Sequence, residues 1–158
     1  MRPLIAIRIE PKESSVGADI SAFVEIQGGG CWRLAEPPIK GECLSDPPLE
    51  PRRLPLFRDT LFFETLCGNS NPAYPRPPFL KEPLPSPRGL PKDVSAELST
   101  YESWFRVGYH HSWLLLEELT PLINFEYSDI WSELSRVLQS MNHWGSPNQV
   151  RLVFWFDC

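Results

Sequence analysis

Proline sets the first limit on what this chain can become. Fourteen of its 18 prolines lie between Pro37 and Pro91, and none lies between Lys92 and Thr120. A proline inside a helix removes a backbone donor and clashes with the preceding turn, so no long-helix bundle, coiled coil or solenoid can run through the middle of the chain. At 158 residues, 42% of them apolar and including 6 Trp, 4 Tyr and 9 Phe, the chain has the length of one domain and enough apolar surface for a sizeable core.

Alternation marks the strands. Leu4 to Ile9 places Ile5, Ile7 and Ile9 on one face, and Ala18 to Ile26 places Ala18, Ile20, Ala22, Val24 and Ile26 on one face with Asp19, Ser21, Phe23 and Glu25 on the other. Gln27-Gly28-Gly29-Gly30 supplies the positive φ of a hairpin turn, and Cys31 to Leu34 returns as the partner strand. Val150 to Phe156 is apolar on both faces, which predicts a central strand covered on both sides. The two ends of the chain are therefore expected to meet in one sheet.

Helical spacing recurs at Arg58 to Cys67, ending on Gly68-Asn69, at Asp93 to Phe105 with Asp93 as N-cap, and from Ser128 through Ile130, Leu134, Val137, Leu138 and Met141. The segments between read as loops. The expectation is a single α+β domain with a mixed or mainly antiparallel sheet, three to four helices, and long proline-rich loops over residues 36–56 and 70–91.

The net charge of −5 is unevenly placed. From Asp93 to Glu133 there are eight carboxylates (Asp93, Glu97, Glu102, Glu117, Glu118, Glu126, Asp129, Glu133) and one cation, Arg106. Such a stretch repels nucleic-acid phosphates and attracts a basic partner; the plainer reading is a solvated face that keeps the chain in solution. Cys31, Cys43, Cys67 and Cys158 are widely spaced, and no secretory signal precedes them, so reduced thiols in a cytoplasm are expected. No apolar run is long enough for a membrane helix, and no membrane association is expected.

Phosphate-loop, dinucleotide, nucleophile-elbow and zinc-protease motifs are all missing from the sequence. No cofactor or metal is expected. One polar constellation remains: Asp19 and Glu25 on one strand face, with His110, His111 and Trp113 in the run Tyr109-His110-His111-Ser112-Trp113. If these converge, carboxylates and imidazoles could do acid/base work or hold a metal. Otherwise that face is simply wet and the histidines lie on a loop.

The string Val16-Gly17-Ala18-Asp19-Ile20-Ser21-Ala22-Phe23-Val24-Glu25-Ile26 resembles the start of an uncharacterised phage and prophage family whose members open with Met-Gly-Cys-Asp-Ile-His. Arg58 to Asn71 is similar to a helix of that family, as are Pro87-Arg88-Gly89-Leu90-Pro91 with Asp93-Val94-Ser95, and Ser112-Trp113-Leu114 with Glu118-Leu119, to later segments. Val150-Arg151-Leu152-Val153-Phe154-Trp155-Phe156-Asp157 resembles its ending almost residue for residue. Ser21 stands where the family has His, and Val107 and Tyr109 stand where it has Asp-x-His, with His110 and His111 one or two positions on, so the positions on which an activity of the family would rest are missing or shifted here.

Three functional expectations follow. The first is an acidic interaction protein of a phage or mobile element, an anti-CRISPR or other anti-defence inhibitor, rather than an enzyme. It would bind a host protein or ribonucleoprotein complex with a basic surface through Glu97, Glu102, Glu117, Glu118, Glu126 and Asp129, without touching nucleic acid itself. The second is a nucleotide-like small-molecule or metal-binding protein or hydrolase using Asp19, Glu25, His110, His111 and Trp113. A phage accessory protein of structural use is the third.

Overall fold

The computed structural model describes residues 19–36, 39–40, 49–51, 53–54, 60–69, 71–85, 87–105, 108–123 and 136–157. The proposed Leu4–Ile9 strand lies outside them, and so do Glu126, Asp129 and the start of the helix expected from Ser128. The elements are β1 (Asp19–Gly28), β2 (Cys31–Leu34), β3 (Ile39–Lys40), β4 (Leu49–Glu50), α1 (Thr60–Leu66), α2 (Ala96–Phe105), β5 (Tyr109–Leu115), α3 (Leu116–Ile123), a 3-10 helix (Ser140–Trp144) and β6 (Val150–Asp157). This is an α+β fold, and its main sheet is antiparallel throughout.

That sheet has the order β2-β1-β6-β5. The hairpin between β1 and β2 forms where the glycines demand it: Gly28 pairs with Cys31, and Gly29 and Gly30 turn the chain with φ of 62° and 84°. Two successive positive φ values match the right-handed twist of the strands they join. β1 then runs against β6 from Asp19↔Asp157 to Ile26↔Val150, which joins the first and last described strands. β6 lies between β1 and β5, the central position its apolar pattern predicts.

Alternation along β1 and β6 sends side chains to two covered faces. On the first, Ile20, Ala22, Val24, Val150, Leu152, Phe154 and Phe156 share a core with Phe62, Phe63 and Leu66 of α1, Leu116, Leu119 and Leu122 of α3, and Leu138 and Met141. On the second, Phe23, Leu34, Val153 and Trp155 pack against Leu98 and Tyr101 of α2. The Phe23 ring lies 5.2 Å from Trp155 and meets Tyr101 edge-on at 6.0 Å.

Helix ends follow local chemistry, with one correction. α1 stops as expected: Asn69 N–H donates to Glu64 O at 2.8 Å and Gly68 N–H to Thr65 O at 3.1 Å, with Gly68 at φ 89°. α2 begins at Ala96, and its cap is Ser95 rather than Asp93: Ser95 Oγ accepts the Leu98 N–H at 3.3 Å. In α3, Glu118 reaches back to accept the Leu115 N–H at 2.9 Å, the return half of a capping box.

The proline-rich segments are anchored by their few apolar residues. Leu80 and Leu84 are buried in the first core, and Pro51 and Pro91 are also buried. The first segment is not loop throughout, because Ile39↔Glu50 and Lys40↔Leu49 form a short antiparallel ladder. Leu54 N–H donates to Ala22 O at 2.7 Å and covers the part of the β1 edge that the short β2 does not reach.

β5 contains a bulge. Tyr109 pairs with Phe156 and Ser112 with Phe154, so three steps on β5 face two on β6, and His110 takes φ 56° to absorb the extra residue. Beside it Gly108 lies flat on the Trp155 indole, where a Cβ would clash with Cδ1. Substituting Gly108→Ala should therefore cost about 1–3 kcal/mol through overpacking. Urea unfolding would show this as a lower midpoint with unchanged slope, and a midpoint equal to the wild type would contradict it.

Candidate functional site

The polar face of β1 is not wet. Ser21 and Glu25 are both buried, Glu25 completely, beneath α2. The register sets Glu25 directly opposite Arg151, and both are enclosed on the second face of the sheet. Arg151 Nε donates to Glu25 Oε1 at 2.8 Å, and its terminal nitrogen lies 2.6 Å from the same oxygen. The second Glu25 oxygen accepts the Ser95 N–H at 2.8 Å. One carboxylate thus ties the two central strands to the first turn of α2.

Arg151 has further partners. It donates to Asp93 Oδ1 at 2.9 Å and lies over the Trp32 ring at 4.0 Å. A planar guanidinium can bind carboxylates in its plane and an aromatic ring on its face at the same time. Arg88 repeats the arrangement at the β5 edge, 4.2 Å over Trp113, with both terminal nitrogens on Glu118 at 3.1 and 2.6 Å and a bond to Trp113 O at 3.1 Å. Gly89 N–H donates to His111 O at 2.8 Å, so residues 88–89 cover the β5 edge. Trp113 is a platform for Arg88, with Arg151 farther off at 5.8 Å.

The histidines lie on a strand, not a loop, and they face opposite ways. His110 meets Tyr109 and Phe156 at 5.0 and 6.4 Å, whereas His111 stacks on Trp155 at 5.2 Å. His111 Nε2 approaches Glu102 Oε2 at 3.2 Å without hydrogen-bond alignment. Glu25 is committed to Arg151 and Ser95, and Asp19 sits at the far end of β1 opposite Asp157. The candidate residues Asp19, Glu25, His110, His111 and Trp113 do not form one cluster. Among the described residues no group of three or more His, Cys, Asp or Glu side chains could hold a metal ion.

The acidic residues are divided among environments. Glu118 is neutralised by Arg88, and Glu102 is half-buried against His111. Glu97 is exposed on α2 and Glu117 on α3, helices that pack against opposite faces of the sheet. Sequence pattern did not single out Arg88, Arg151 or Ser95, and it read Asp93 only as a helix cap and a member of the acidic stretch. The available signal was a charged residue set among apolar neighbours within each of two strands, Glu25 and Arg151, since such residues are rarely buried unless paired.

The described surface also has an open cleft of about 470 Å³ between residues 79–85 and the start of α3. Leu80 and Leu84 form its floor, Pro83, Pro85 and Pro121 its walls, and Glu82, Glu117 and Glu118 its rim. Elsewhere, Cys67 at the end of α1 has its thiol pushed up to about 12 by burial, with the charge of Glu64 adding to the shift. Cys31 is exposed at the hairpin. Among the described residues no helix is long and apolar enough to cross a membrane. Compared with protein-family models, with curated proteins and with solved structures, the chain matches none.

Two outcomes are expected. Glu25→Leu or Arg151→Met alone should cost about 3–5 kcal/mol by leaving a buried charge unpaired, while the two together should cost less than the sum; a double-mutant cycle in urea measures both. Because the thiolate is the nucleophile, iodoacetamide at neutral pH should label Cys31 in the folded protein well before Cys67, read by peptide mass spectrometry, with the difference lost on unfolding.

Proposed function

We propose that the chain is an acidic interaction protein that binds a partner with a basic surface. The observation that carries this reading is how the cations near the acidic residues are used. Arg88 is held by Glu118 and the Trp113 ring, and Arg151 by Glu25, Asp93 and the Trp32 ring. Neither is available to neutralise the exposed carboxylates of Glu97, Glu117 and Glu82, for which no ion pair is found among the described residues; the exposed Lys81 beside Glu82 offsets only part of that charge. Surface charge left uncompensated in this way steers association with an oppositely charged surface and penalises phosphate-bearing ones.

The resemblance of residues 16–157 to a phage and prophage family suggests the setting: the cytoplasm of a host cell, with a host protein or ribonucleoprotein complex as target and inhibition as the outcome. An anti-CRISPR or related anti-defence role is the concrete form. Glu102 and Glu118, which the sequence reading placed with the binding residues, have internal contacts and serve the fold first. The alternative reading as a small-molecule or metal-binding protein or hydrolase draws less support, because Glu25 is committed internally and the two histidines diverge.

The decisive measurement is copurification from host cells with quantitative mass spectrometry, comparing wild type with Glu97→Lys/Glu117→Lys. A basic partner recovered at low salt should be lost from the variant and weakened by high salt. Equal recovery of every partner by both proteins would contradict the proposal.

A further inference from the structure

Resting on that reading, we infer that the cleft between residues 79–85 and α3 is the seat of the partner, and that its occupant is an extended protein segment alternating lysine or arginine with apolar side chains. The cleft volume of about 470 Å³ falls within the range of ligand pockets, roughly 300–1,000 Å³. Its floor and walls are Leu80, Leu84, Pro83, Pro85 and Pro121, with Phe79 beside them. Prolines lose little freedom when something binds against them, so these walls are organised in advance.

The rim carries more acceptors than donors. Glu82 and Glu117 are exposed carboxylates, and Glu118, also at the rim, is taken by Arg88. Lys81 is the one cation among the lining residues. Apolar walls below two carboxylates suit a side chain that is apolar along its stem and cationic at its tip, as lysine and arginine are.

The test uses the full chain, labelled with nitrogen-15 and titrated with a short peptide alternating lysine and leucine. Saturable shifts confined to residues 79–85 and 117–121 are expected. Binding should weaken roughly fivefold in Glu82→Gln/Glu117→Gln, from the loss of two surface charge pairs. A peptide with norleucine for lysine should bind much more weakly.

Equal binding of the norleucine peptide, equal binding of spermidine, or shifts spread over Glu97 and the rest of the surface would each overturn the inference. So would concentration-dependent self-association that occupies the same residues. Loss of the cellular partner by Glu97→Lys/Glu117→Lys together with a peptide that ignores the cleft would refute the cleft alone. Peptide binding in the cleft together with unchanged cellular partners would refute the proposed function instead.

Discussion

The buried pair of Glu25 and Arg151 governs how this structure is put together. Each belongs to a strand covered on both faces, where an isolated charge would be very costly, and each meets the other only if β1 and β6 pair in the observed register. A slip of one residue by either strand would turn its charged side chain to the opposite, apolar face and away from its partner. The pair therefore acts as a register key for the two central strands. Through Ser95 and Asp93 it also fixes where α2 begins. An ion pair of this kind adds little net stability compared with a well-packed apolar substitute; its contribution lies in excluding other arrangements.

Much of the fold could be read from patterns with a short period. The alternation of Ile20, Ala22 and Val24, the three glycines at 28–30 and the two-faced apolar run from Val150 to Phe156 identified the hairpin and the central strand. Gly68 and Asn69 marked the end of α1 for the same reason, since their positive φ is a local property. The histidine segment misled because Tyr109-His110-His111 looks polar, whereas a bulge at His110 lets β5 continue through it and places the two imidazoles on different faces. Periodicity cannot report a one-residue insertion that the strand absorbs.

The site was less legible than the fold, and the reason is long-range pairing. Asp93 looked like a helix cap because it precedes the helical pattern, but Arg151, 58 residues away, takes its side chain and leaves the cap to Ser95. Glu118 looked like one more member of an acidic run, yet Arg88 from the proline-rich segment holds it with two bonds. Counting charges along the chain overstates the negative surface wherever a distant arginine answers a carboxylate. Glu82 shows the converse: it stood outside the acidic stretch in sequence, but folding brings it to the same rim as Glu117.

The proline cluster then takes on a different meaning from the exclusion it first supported. Residues 71–85 wall the cleft with Pro83 and Pro85, and residues 87–91 cover the edge of β5 with Arg88 and Gly89 and lead to α2. A flexible loop could close the same distance, but it would have to be ordered again each time a partner bound. Prolines already limited in φ, pinned by Leu80 and Leu84 to the core, hold the rim carboxylates in place beforehand. The same segment thus protects a sheet edge that would otherwise invite pairing and presents a preformed surface on its outer side. α2 and α3 lie on opposite faces of the sheet, so a partner of ordinary size docking on one flat surface would meet the rim at Glu82 and Glu117 or the exposed end of α2 at Glu97, and only a partner that wraps around the β5 edge would meet both.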